Sequence, residues 1–579
     1  MKTAKRFLTA ALAVLFTLMC ALPALAEDTS AAAQTYTLTI TNPAAGHTYE
    51  VYQIFEGYNT QENGKEYLSD IEWGSGVKTD NDSLNAMIDK LKDATLYDQN
   101  TAYVAGVNDA TKVAMALSMA NEAEQVDKFN EIVGDYLGTA IDTKQADGTA
   151  PIQFTLPAGY YLVKDQDGSV GENESYTKYL VKLVANANMN IKSQSMSLEK
   201  HILTGNTKVT ANNAAMGDTV NYCLESRLSE MDGYDTYTFI VHDELDAGLT
   251  FKNDVAVKIG ATDYAGKTVE YATEENGNYR SELPTIEKSQ KLYIRITLNG
   301  LTQQYKGQLV SITYSATVNE KANIGNTPNT NAAYLEYSNN PNESQQNGQT
   351  STTVTPKTTV STYVAGIQIS KVSPKGSLLP GAQFKIEAQD DAEAINQLNV
   401  TGYSFAAAEN DSGEPYYKEG DSFVTVAPDA QAQKYVAKGG TNRNTGSSIV
   451  GMTGDDKNST QLGILCFDGL KAGTYTITEV LAPTGYKKLE KPITVKITWV
   501  ENSNDGNHWS YEVTGGTKGD IALGEVKDGV QSFKIVNQHG LTLPFTGGAG
   551  ANLLAGVGLA LMAAAAAAIL YIKHRKDRE

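Results

Sequence analysis

The sequence predicts a mainly β protein made of tandem β-sandwich domains, with some helix in its N-terminal part. Tyrosine outnumbers phenylalanine, 32 to 13, and long stretches are rich in threonine, valine and glycine, a composition that favours half-buried strands over helices. Apolar and polar residues alternate with the period of a strand in stretches such as TYTLTI and LVSITYSATV. A chain of 579 residues is long enough for three or four domains of ordinary size.

Charge, cysteines and motifs argue against several classes of function. The net charge of −20 makes a nucleic-acid partner unfavourable, because the surface has no excess of basic residues to neutralise phosphates. Cys20 lies in a predicted signal peptide, and Cys223 and Cys466 fall in different predicted domains, so we expect no disulfide framework. The sequence has no dinucleotide-binding, P-loop or HExxH motif and no histidine–cysteine cluster, so we expect neither a cofactor nor a bound metal.

Residues 1–26 have the three parts of a secretory signal peptide. The basic start MKTAKR precedes an apolar stretch, and Ala24-Leu25-Ala26 supplies the small residues of a cleavage site after Ala26. Lipid attachment at Cys20 is disfavoured because the bulky Met19 precedes it. We therefore expect a secreted protein.

The other end, residues 541–579, also has three parts in order. LPFTG occupies Leu543 to Gly547, an apolar and uncharged span runs from about Ala549 to Ile572, and a basic tail follows. At about 1.5 Å per residue the span is long enough to cross a bilayer, and the basic residues would keep the C-terminus inside. The span alone would indicate a single-pass membrane anchor.

The complete tail resembles the LPXTG sorting signal of Gram-positive surface proteins, with Leu543, Pro544, Thr546 and Gly547 at the signature positions. The resemblance implies that a sortase cleaves between Thr546 and Gly547 and passes the threonyl acyl group to an amine. The apolar span would then hold the protein in the membrane only transiently. The final location would be the cell surface, with the protein covalently attached to peptidoglycan.

Between these ends we divide the chain into three domains, residues 30–192, 193–357 and 358–540. The first should contain two helices whose apolar faces belong to the core: Leu84, Met87, Ile88 and Leu91 in one, and Val126, Phe129 and Val133 in the other. FTLPAGYYLVKD is predicted as a pair of strands. DQDG at 165–168 is interpreted as a β-turn, because it lacks the third carboxylate position and the closing Glu of a calcium loop.

Two polar stretches are predicted to lie outside the sheets. ESQQNGQTSTTVTPKTTVSTY, which ends at Tyr363, has the composition of a connector between the second and third domains. The insertion at about residues 388–455 is interpreted as loop-rich surface of the third domain.

Three polar residues of the third domain share strand faces with apolar residues. Period-2 alternation places Lys371, Glu479 and Asn537 each on the apolar side of its strand. Their apolar neighbours are Ile367 and Ile369, Tyr475 and Ile477, and Phe533 and Ile535. Burial of all three would cost free energy unless they interact. An ordinary buried lysine–glutamate ion pair is one alternative.

The stretch YTITEVLAPTGY, which carries Glu479, resembles a sequence box in the B-type repeat domain of collagen-binding adhesins and pilins. The resemblance implies an immunoglobulin-like fold and an intramolecular isopeptide bond, with Lys371 as nucleophile, Asn537 as acceptor and Glu479 as acid/base. Burial suits this chemistry, because it lowers the pKa of a lysine and raises that of a carboxyl group. A protonated acid could then hydrogen-bond the amide oxygen while the neutral amine attacks.

The second domain contains a similar set. FIVHDELDAGLTF resembles the A-type pilin domain, which implies Asp243 as the carboxyl group, Lys200 in LEKHI as nucleophile and Asn331 as acceptor. Asn329 and Asn339 compete for the last role. Asn331 is chosen because it precedes the Ala-x-Tyr-x-Glu-Tyr strand as the family's acceptor does. The alternative is a turn aspartate and a solvated asparagine.

The whole domain order resembles the major shaft subunit of sortase-assembled Gram-positive pili. The resemblance implies a head-to-tail polymer in which Thr546 is joined to a lysine of the next copy. The Tyr-Pro-Lys motif of many family members is missing. We therefore place the donor at Lys192, eight residues before Lys200, although a solvated linker lysine would look the same.

The partners implied are pilin-type and housekeeping sortases, further copies of this chain, peptidoglycan, minor pilins and host surface ligands. A monomeric wall-anchored adhesin or a minor pilin is the alternative function, since it would need no donor at Lys192. An enzyme is disfavoured because the only chemistry predicted is self-directed and occurs once per chain.

Overall fold

The computed structural model describes residues 34–93, 109–118, 123–191, 195–229, 231, 234, 236–287, 289–341, 351–389, 395, 397–408, 412–446, 448–457, 461–501, 508–517, 519–540, 561–570 and 573. The predicted signal peptide, Lys192 and the LPFTG pentapeptide lie outside these residues. The described residues fall into two compact units: one ends at residue 212 and resumes over 218–322 and 329–362, and the other comprises 213–217, 323–328 and the chain from 363 onward.

The N-terminal part of the first unit combines two small sheets with helices. Its strands are β1 (Thr35–Ile40), β2 (Thr48–Glu62), β3 (Lys65–Trp73), β4 (Asp142–Gln145), β5 (Ile152–Pro157), β6 (Gly159–Asp165), β7 (Lys178–Leu183) and β8 (Ala187–Met189), and its helices are α1 (Asn81–Asp93), α2 (Ala110–Ser118) and α3 (Ala123–Gly134). One sheet has the order β5-β1-β8, and the other has the order β3-β2-β6-β7 with β4 beside β2. The predicted apolar faces of the two helices are confirmed, since Met87, Leu91, Phe129 and Val133 are buried in the shared core.

The predicted strand pair in FTLPAGYYLVKD is wrong in its pairing. Both strands exist, but β5 pairs with β1 and β6 pairs with β2 in the other sheet. A single residue, Ala158, separates β5 from β6. That connection is too short for a hairpin, which needs a loop of at least about two residues, so the chain passes from one sheet to the other.

The DQDG stretch forms the β-turn that its sequence predicts, with the backbone N–H of Ser169 donating to the carbonyl of Gln166. Asp165 is buried and accepts hydrogen bonds from the backbone N–H and the hydroxyl of Thr177. Its other oxygen lies 2.8 Å from Nδ1 of His47, whose Nε2 lies 3.2 Å from Glu174. Asp165 is therefore part of a buried histidine–carboxylate network.

The middle part of the first unit is a sandwich of two sheets. Its strands are β9 (Glu199–Thr204), β10 (Thr207–Val209), β11 (Ala211–Asn213), β12 (Thr219–Arg227), β13 (Phe239–Leu245), β14 (Leu249–Phe251), β15 (Ala256–Ile259), β16 (Thr262–Asp263), β17 (Lys267–Ala272), β18 (Leu292–Leu298), β19 (Leu309–Val318), β20 (Asn329–Ser338), β21 (Thr352–Val354) and β22 (Thr358–Tyr363), with a 3₁₀ turn at Gln303–Tyr305. One sheet has the order β10-β9-β12-β19-β15-β16, with β14 beside β19. The facing sheet has the order β11-β22-β20-β13-β18-β17, with β21 beside β20.

The predicted connector is wrong from residue 351 onward. Strands β21 and β22 lie within that stretch and both pair with β20. A run rich in threonine and serine resembles a linker in composition, but threonine and valine also favour strands. Composition alone therefore could not distinguish the two. Residues 358–362, which the sequence boundaries give to the third domain, therefore belong to the middle sandwich.

The second unit contains one continuous sheet. Its strands are β23 (Ala365–Val372), β24 (Gln383–Ala388), β25 (Leu398–Ala407), β26 (Pro415–Glu419), β27 (Ser422–Val424), β28 (Lys434–Asn444), β29 (Ser448–Met452), β30 (Ile464–Leu470), β31 (Gly473–Leu481), β32 (Ile493–Val500), β33 (His508–Gly515), β34 (Ile521–Lys527) and β35 (Val530–Val536). The order is β33-β32-β31-β24-β29-β25-β30-β23-β35-β34. Four strands separate β31 from β23 in this order, yet Ile477 and Ile369 belong to one buried core. The sheet therefore folds over on itself, and the predicted mainly β class is confirmed.

The interpretation of residues 388–455 as loop-rich surface is wrong. Strands β25 to β29 occupy about half of this stretch, and β25 lies between β29 and β30 in the sheet. Leu398 and Val400 are fully buried in the core. The stretch reads as polar because β28 carries exposed polar side chains such as Lys434, Lys438 and Arg443.

Near the C-terminus, residues 561–570 are helical and exposed. No helix among the described residues is both long enough and apolar enough to cross a membrane. The remainder of the predicted apolar span, apart from these ten residues, lies outside the described chain.

Candidate functional site

The fold of the second unit brings Lys371, Glu479 and Asn537 together. Strands β23 and β35 are parallel neighbours in which Lys371 is opposite Ile535, and Asn537 follows directly after β35. Glu479 lies on β31, across the core, because the sheet folds over. The exposed fractions of the three residues are 0%, 2% and 1%, so the cluster is closed to solvent.

The carboxylate of Glu479 is the centre of this cluster. Its Oε1 lies 3.7 Å from Nζ of Lys371, and Nδ2 of Asn537 donates to both carboxylate oxygens at 3.1 and 3.0 Å. The backbone N–H of Leu489 also donates to it, at 2.7 Å. Lys371 donates to the carbonyl of Ile535 at 2.9 Å. One carboxyl group therefore touches both the amine and the amide nitrogen.

The orientation of the Asn537 amide differs from the expectation that its oxygen would face the acid. Nδ2 faces Glu479 and also donates to the carbonyl oxygen of Lys487 at 2.5 Å. Oδ1 has no hydrogen-bond partner within the described chain. The Lys487 carbonyl explains this orientation, because a carbonyl can only accept and would repel an amide oxygen in the same position.

Burial shifts the pKa values of this cluster toward the uncharged forms. Desolvation lowers the pKa of Lys371 to about 8, against the opposing influence of Glu479. Desolvation likewise raises the pKa of Glu479, partly opposed by Lys371 and by the N–H of Leu489. Both shifts therefore favour a neutral amine and a protonated acid over the ion pair.

The middle sandwich brings Lys200, Asp243 and Asn331 together in the same manner. Lys200 lies on β9 in one sheet, and Asp243 and Asn331 lie on β13 and β20 in the facing sheet. Asp243 is opposite Ala333, and Asn331 is two residues away on the same face of β20. All three are at most 2% exposed. The cluster lies in the core between the sheets.

A tyrosine that the sequence analysis did not single out links the members of the middle cluster. Nζ of Lys200 lies 2.5 Å from Oδ2 of Asp243 and 2.9 Å from the hydroxyl of Tyr314. The same hydroxyl donates to Asp243 at 2.7 Å and accepts from Nδ2 of Asn331 at 2.8 Å. Alternation in LVSITYSATV could have placed Tyr314 on a buried face, but nothing there distinguishes it from a core tyrosine.

Burial also governs the electrostatics of the middle cluster. Desolvation lowers the pKa of Lys200 and raises that of Asp243, so that both shifts favour the neutral pair. Desolvation and the neighbouring Asp243 raise the pKa of Tyr314 well above its usual value. The tyrosine therefore keeps its proton and can donate it in a hydrogen bond.

The competing asparagines lie elsewhere. Asn329 is buried and donates to the carbonyl of Thr362, and Asn339 donates to the carbonyl of Glu174. Lys192, Thr546 and the other sorting-signal residues lie outside the described chain. Within the described ranges no group of histidine, cysteine, aspartate and glutamate side chains is arranged to hold a metal ion.

Comparison with known protein families adds one match, which covers the strand that carries Glu479. Residues 432–513 match the SpaA prealbumin-like fold domain. This match spans β28 to most of β33 in the second unit. No curated protein sequence matches the chain.

Among solved structures, the chain is similar to major pilin subunits. The T6 backbone pilin of serotype M6 Streptococcus pyogenes is 16% identical, with 90% of this chain and 100% of that one covered and a TM-score of 0.46. The major pilin SpaD from Corynebacterium diphtheriae is 16% identical over 88% and 98% of the two chains, with a TM-score of 0.38. BcpA, the major pilin subunit of Bacillus cereus, is 14% identical over 87% and 99%, with a TM-score of 0.37.

Proposed function

We propose that the protein is the shaft subunit of a covalent surface pilus. A sortase would join Thr546 of one copy to Lys192 of the next, and the last subunit would be attached to the cell wall. The observation that carries the proposal is the combination of two buried lysine–carboxylate–asparagine clusters with the LPFTG signal near the C-terminus. Cross-linked domains and a sorting signal suit an extracellular filament that must resist mechanical load without disulfides.

In the second unit, at the cluster of Lys371, Glu479 and Asn537 (the C-terminal cluster), the reaction is a condensation of an amine with a carboxamide. The neutral amine of Lys371 attacks the side-chain carbonyl carbon of Asn537, the new C–Nζ bond forms, and the C–Nδ2 bond breaks to release ammonia. Glu479 supplies a proton to the departing Nδ2 and receives one from the attacking nitrogen. Its contacts with Nζ at 3.7 Å and with Nδ2 at 3.0 Å support both roles.

The product of this reaction is neutral, which suits the site. An unreacted pair leaves either a buried ion pair or two desolvated polar groups, and both are costly in an apolar core. The amide that replaces them carries no charge. Lys200 and Asn331 would form the second cross-link in the middle sandwich, with Asp243 as the carboxyl group.

Intact mass spectrometry of the full chain, purified in detergent from cells without sortase, tests the cross-links. We expect a mass below that calculated for residues 27–579, the chain that remains after signal-peptide cleavage, by two molecules of ammonia, about 34 Da. Glu479→Ala should restore one of the two, while the exposed Glu490→Ala serves as the matched control and should restore neither. No deficit in the wild type would contradict the cross-links, and an unchanged deficit in Glu479→Ala would contradict the role of that carboxylate.

An immunoblot of muramidase-released wall material from the native bacterium tests the polymer. We expect a ladder of bands in subunit steps that collapses to the monomer in Lys192→Ala and persists in the control Lys252→Ala. A ladder that survives Lys192→Ala would move the donor to another lysine. A single monomer band in the wild type would instead support an anchored adhesin or minor pilin.

A further inference from the structure

The two clusters differ in how the carboxyl group reaches the asparagine. In the second unit, Glu479 contacts Nδ2 of Asn537 directly. In the middle sandwich, Nδ2 of Asn331 donates to the hydroxyl of Tyr314, and that hydroxyl contacts Asp243. Aspartate is one methylene shorter than glutamate, and the tyrosine oxygen occupies the gap. The hydroxyl of Tyr314 therefore makes the contact with the amide nitrogen that the longer carboxylate makes in the other cluster.

The position of this hydroxyl is fixed by packing. Tyr314 is 3% exposed, and its ring lies 5.2 Å from that of Tyr222 and 5.5 Å from that of Phe251, the latter edge to face. Tyr222 is also its direct partner in the ladder between β12 and β19. A tyrosine has few side-chain torsions to change, so the surrounding rings hold its oxygen between the amine and the amide.

We propose that Tyr314 is a catalytic residue of the middle cross-link and relays a proton from Asp243 to the amide nitrogen of Asn331. This inference rests on the proposed function, because it concerns the same intramolecular reaction. It assigns a third proton-carrying group to a site for which the sequence indicated only a lysine, an aspartate and an asparagine.

The proposed step balances in protons and bonds. Lys200 first transfers a proton to Asp243, which leaves a neutral amine and a neutral acid. The amine attacks the side-chain carbon of Asn331; Tyr314 then gives its hydroxyl proton to Nδ2 and takes the proton of Asp243 in exchange. The C–Nδ2 bond breaks, ammonia leaves, and Asp243 removes the remaining extra proton from the new amide nitrogen. Both the phenol and the carboxylic acid are regenerated.

The relay requires the hydroxyl hydrogen to turn from Asp243 toward Asn331. That rotation is available, because a hydroxyl group can donate in one direction while it accepts in another. Once Asp243 holds the proton, it becomes a donor to the phenol oxygen, which frees the phenol hydrogen for Nδ2. No water or external base is needed in the closed core.

Tyr314→Phe tests the relay, because it keeps the ring and removes the hydroxyl. The full chain is synthesised in a cell-free system with detergent, and ammonia loss is followed over time by intact mass. We expect the middle cross-link to form at least about 100-fold more slowly, while the C-terminal cross-link forms at the wild-type rate as an internal control. Tyr337→Phe removes another buried, hydrogen-bonded tyrosine hydroxyl, on β20, and should not slow either reaction.

A second variant separates catalysis from structural support. In the double variant Tyr314→Phe, Asp243→Glu, the longer carboxylate should reach Nδ2 as Glu479 does, and at least a tenfold recovery in rate is expected. If Tyr314→Phe does not fold, 3-fluorotyrosine at position 314 retains the shape and acidifies the phenol, and the relay predicts a changed rate of ammonia loss. An unchanged rate in that protein would overturn the proposal.

The outcomes also distinguish the relay from the proposed function. A wild-type chain with no ammonia loss would contradict the cross-links themselves. A wild-type chain that loses two molecules of ammonia, with Tyr314→Phe doing the same at an equal rate, would overturn only the relay. Loss of one molecule in the wild type, mapped by peptide sequencing to Lys371, would remove the middle cross-link and the relay with it.

Discussion

Replacement of Lys371 by methionine should remove the C-terminal cross-link with little change in packing. Methionine is unbranched and close to lysine in length, and the position is fully buried. Glu479 would keep its hydrogen bonds from Leu489 and Asn537. Burial raises the pKa of Glu479, which favours the neutral acid over an unpaired charge in the core. The variant therefore isolates the effect of the covalent link.

The size of the effect follows from the length of chain that the link closes. About 170 residues separate Lys371 from Asn537, and the chain-entropy model gives about 5 kcal/mol for a loop of that length. In a unit of about 200 residues, each kcal/mol lowers the Tm by about 2–4 °C. We therefore expect Lys371→Met to lower the Tm of the second unit by about 10–20 °C.

The measurement is differential scanning calorimetry of the full chain in detergent, with intact mass recorded in parallel. Tryptophan fluorescence helps to assign the transition, because two of the chain's three tryptophans, Trp499 and Trp509, lie in the second unit and contact each other, whereas Trp73 lies in the first. Lys534→Met, at an exposed lysine of β35, is the matched control and should change the Tm by about 1 °C or less. If the wild type has lost ammonia and Lys371→Met still melts within about 3 °C of it, the chain-entropy reasoning is refuted.

Three further predictions concern other parts of the chain. Burial lowers the pKa of His47, but the two carboxylates beside it outweigh burial and raise the pKa overall. The stability that this group contributes should therefore be complete below about pH 6.5 and should fall as pH rises through the raised pKa. His47→Gln should abolish this pH dependence in thermal melts. Gly325 and Gly376 share a φ of +84°, but a Cβ on Gly325 would overlap the carbonyl oxygen of Asp528, whereas Gly376 faces open space. In urea titrations, Gly376→Ala should lower the free energy of unfolding by about 1 kcal/mol, and Gly325→Ala should lower it clearly more. Equal losses would contradict the overlap. Thr546→Ala should shift the protein from the muramidase-released wall fraction to the membrane or medium, and undiminished wall attachment would contradict the sorting signal.

The C-terminal cluster could be predicted from the sequence, because alternation along a strand indicates which residues face the core. Alternation alone put Lys371, Glu479 and Asn537 on apolar faces, and the structure buries all three at one point. A charged residue in an apolar pattern is unusual enough to be noticed. The family resemblance then supplied a reason for the three to meet.

Tyr314 could not be anticipated in the same way, because a tyrosine on an apolar strand face is ordinary core material. Its role depends on which side chains its hydroxyl contacts. Those contacts depend on how the two sheets pack face to face, which the sequence pattern does not reveal. The stretches 351–363 and 388–455 were misjudged for a related reason. Threonine-rich and polar segments can be linkers or strands, and the choice depends on whether a neighbouring strand such as β20 or β30 offers an edge.

The parallel pairing of β23 with β35 has a mechanical consequence. Tension entering the second unit at Ala365 would run along β23 for seven residues, cross from Lys371 to Asn537, and leave at the same end of the strand pair. Without the cross-link, unfolding would release about 170 residues, or about 570 Å of extended chain at about 3.4 Å per residue. With the cross-link, none of that length is available, so this segment would not lengthen under load until a covalent bond broke.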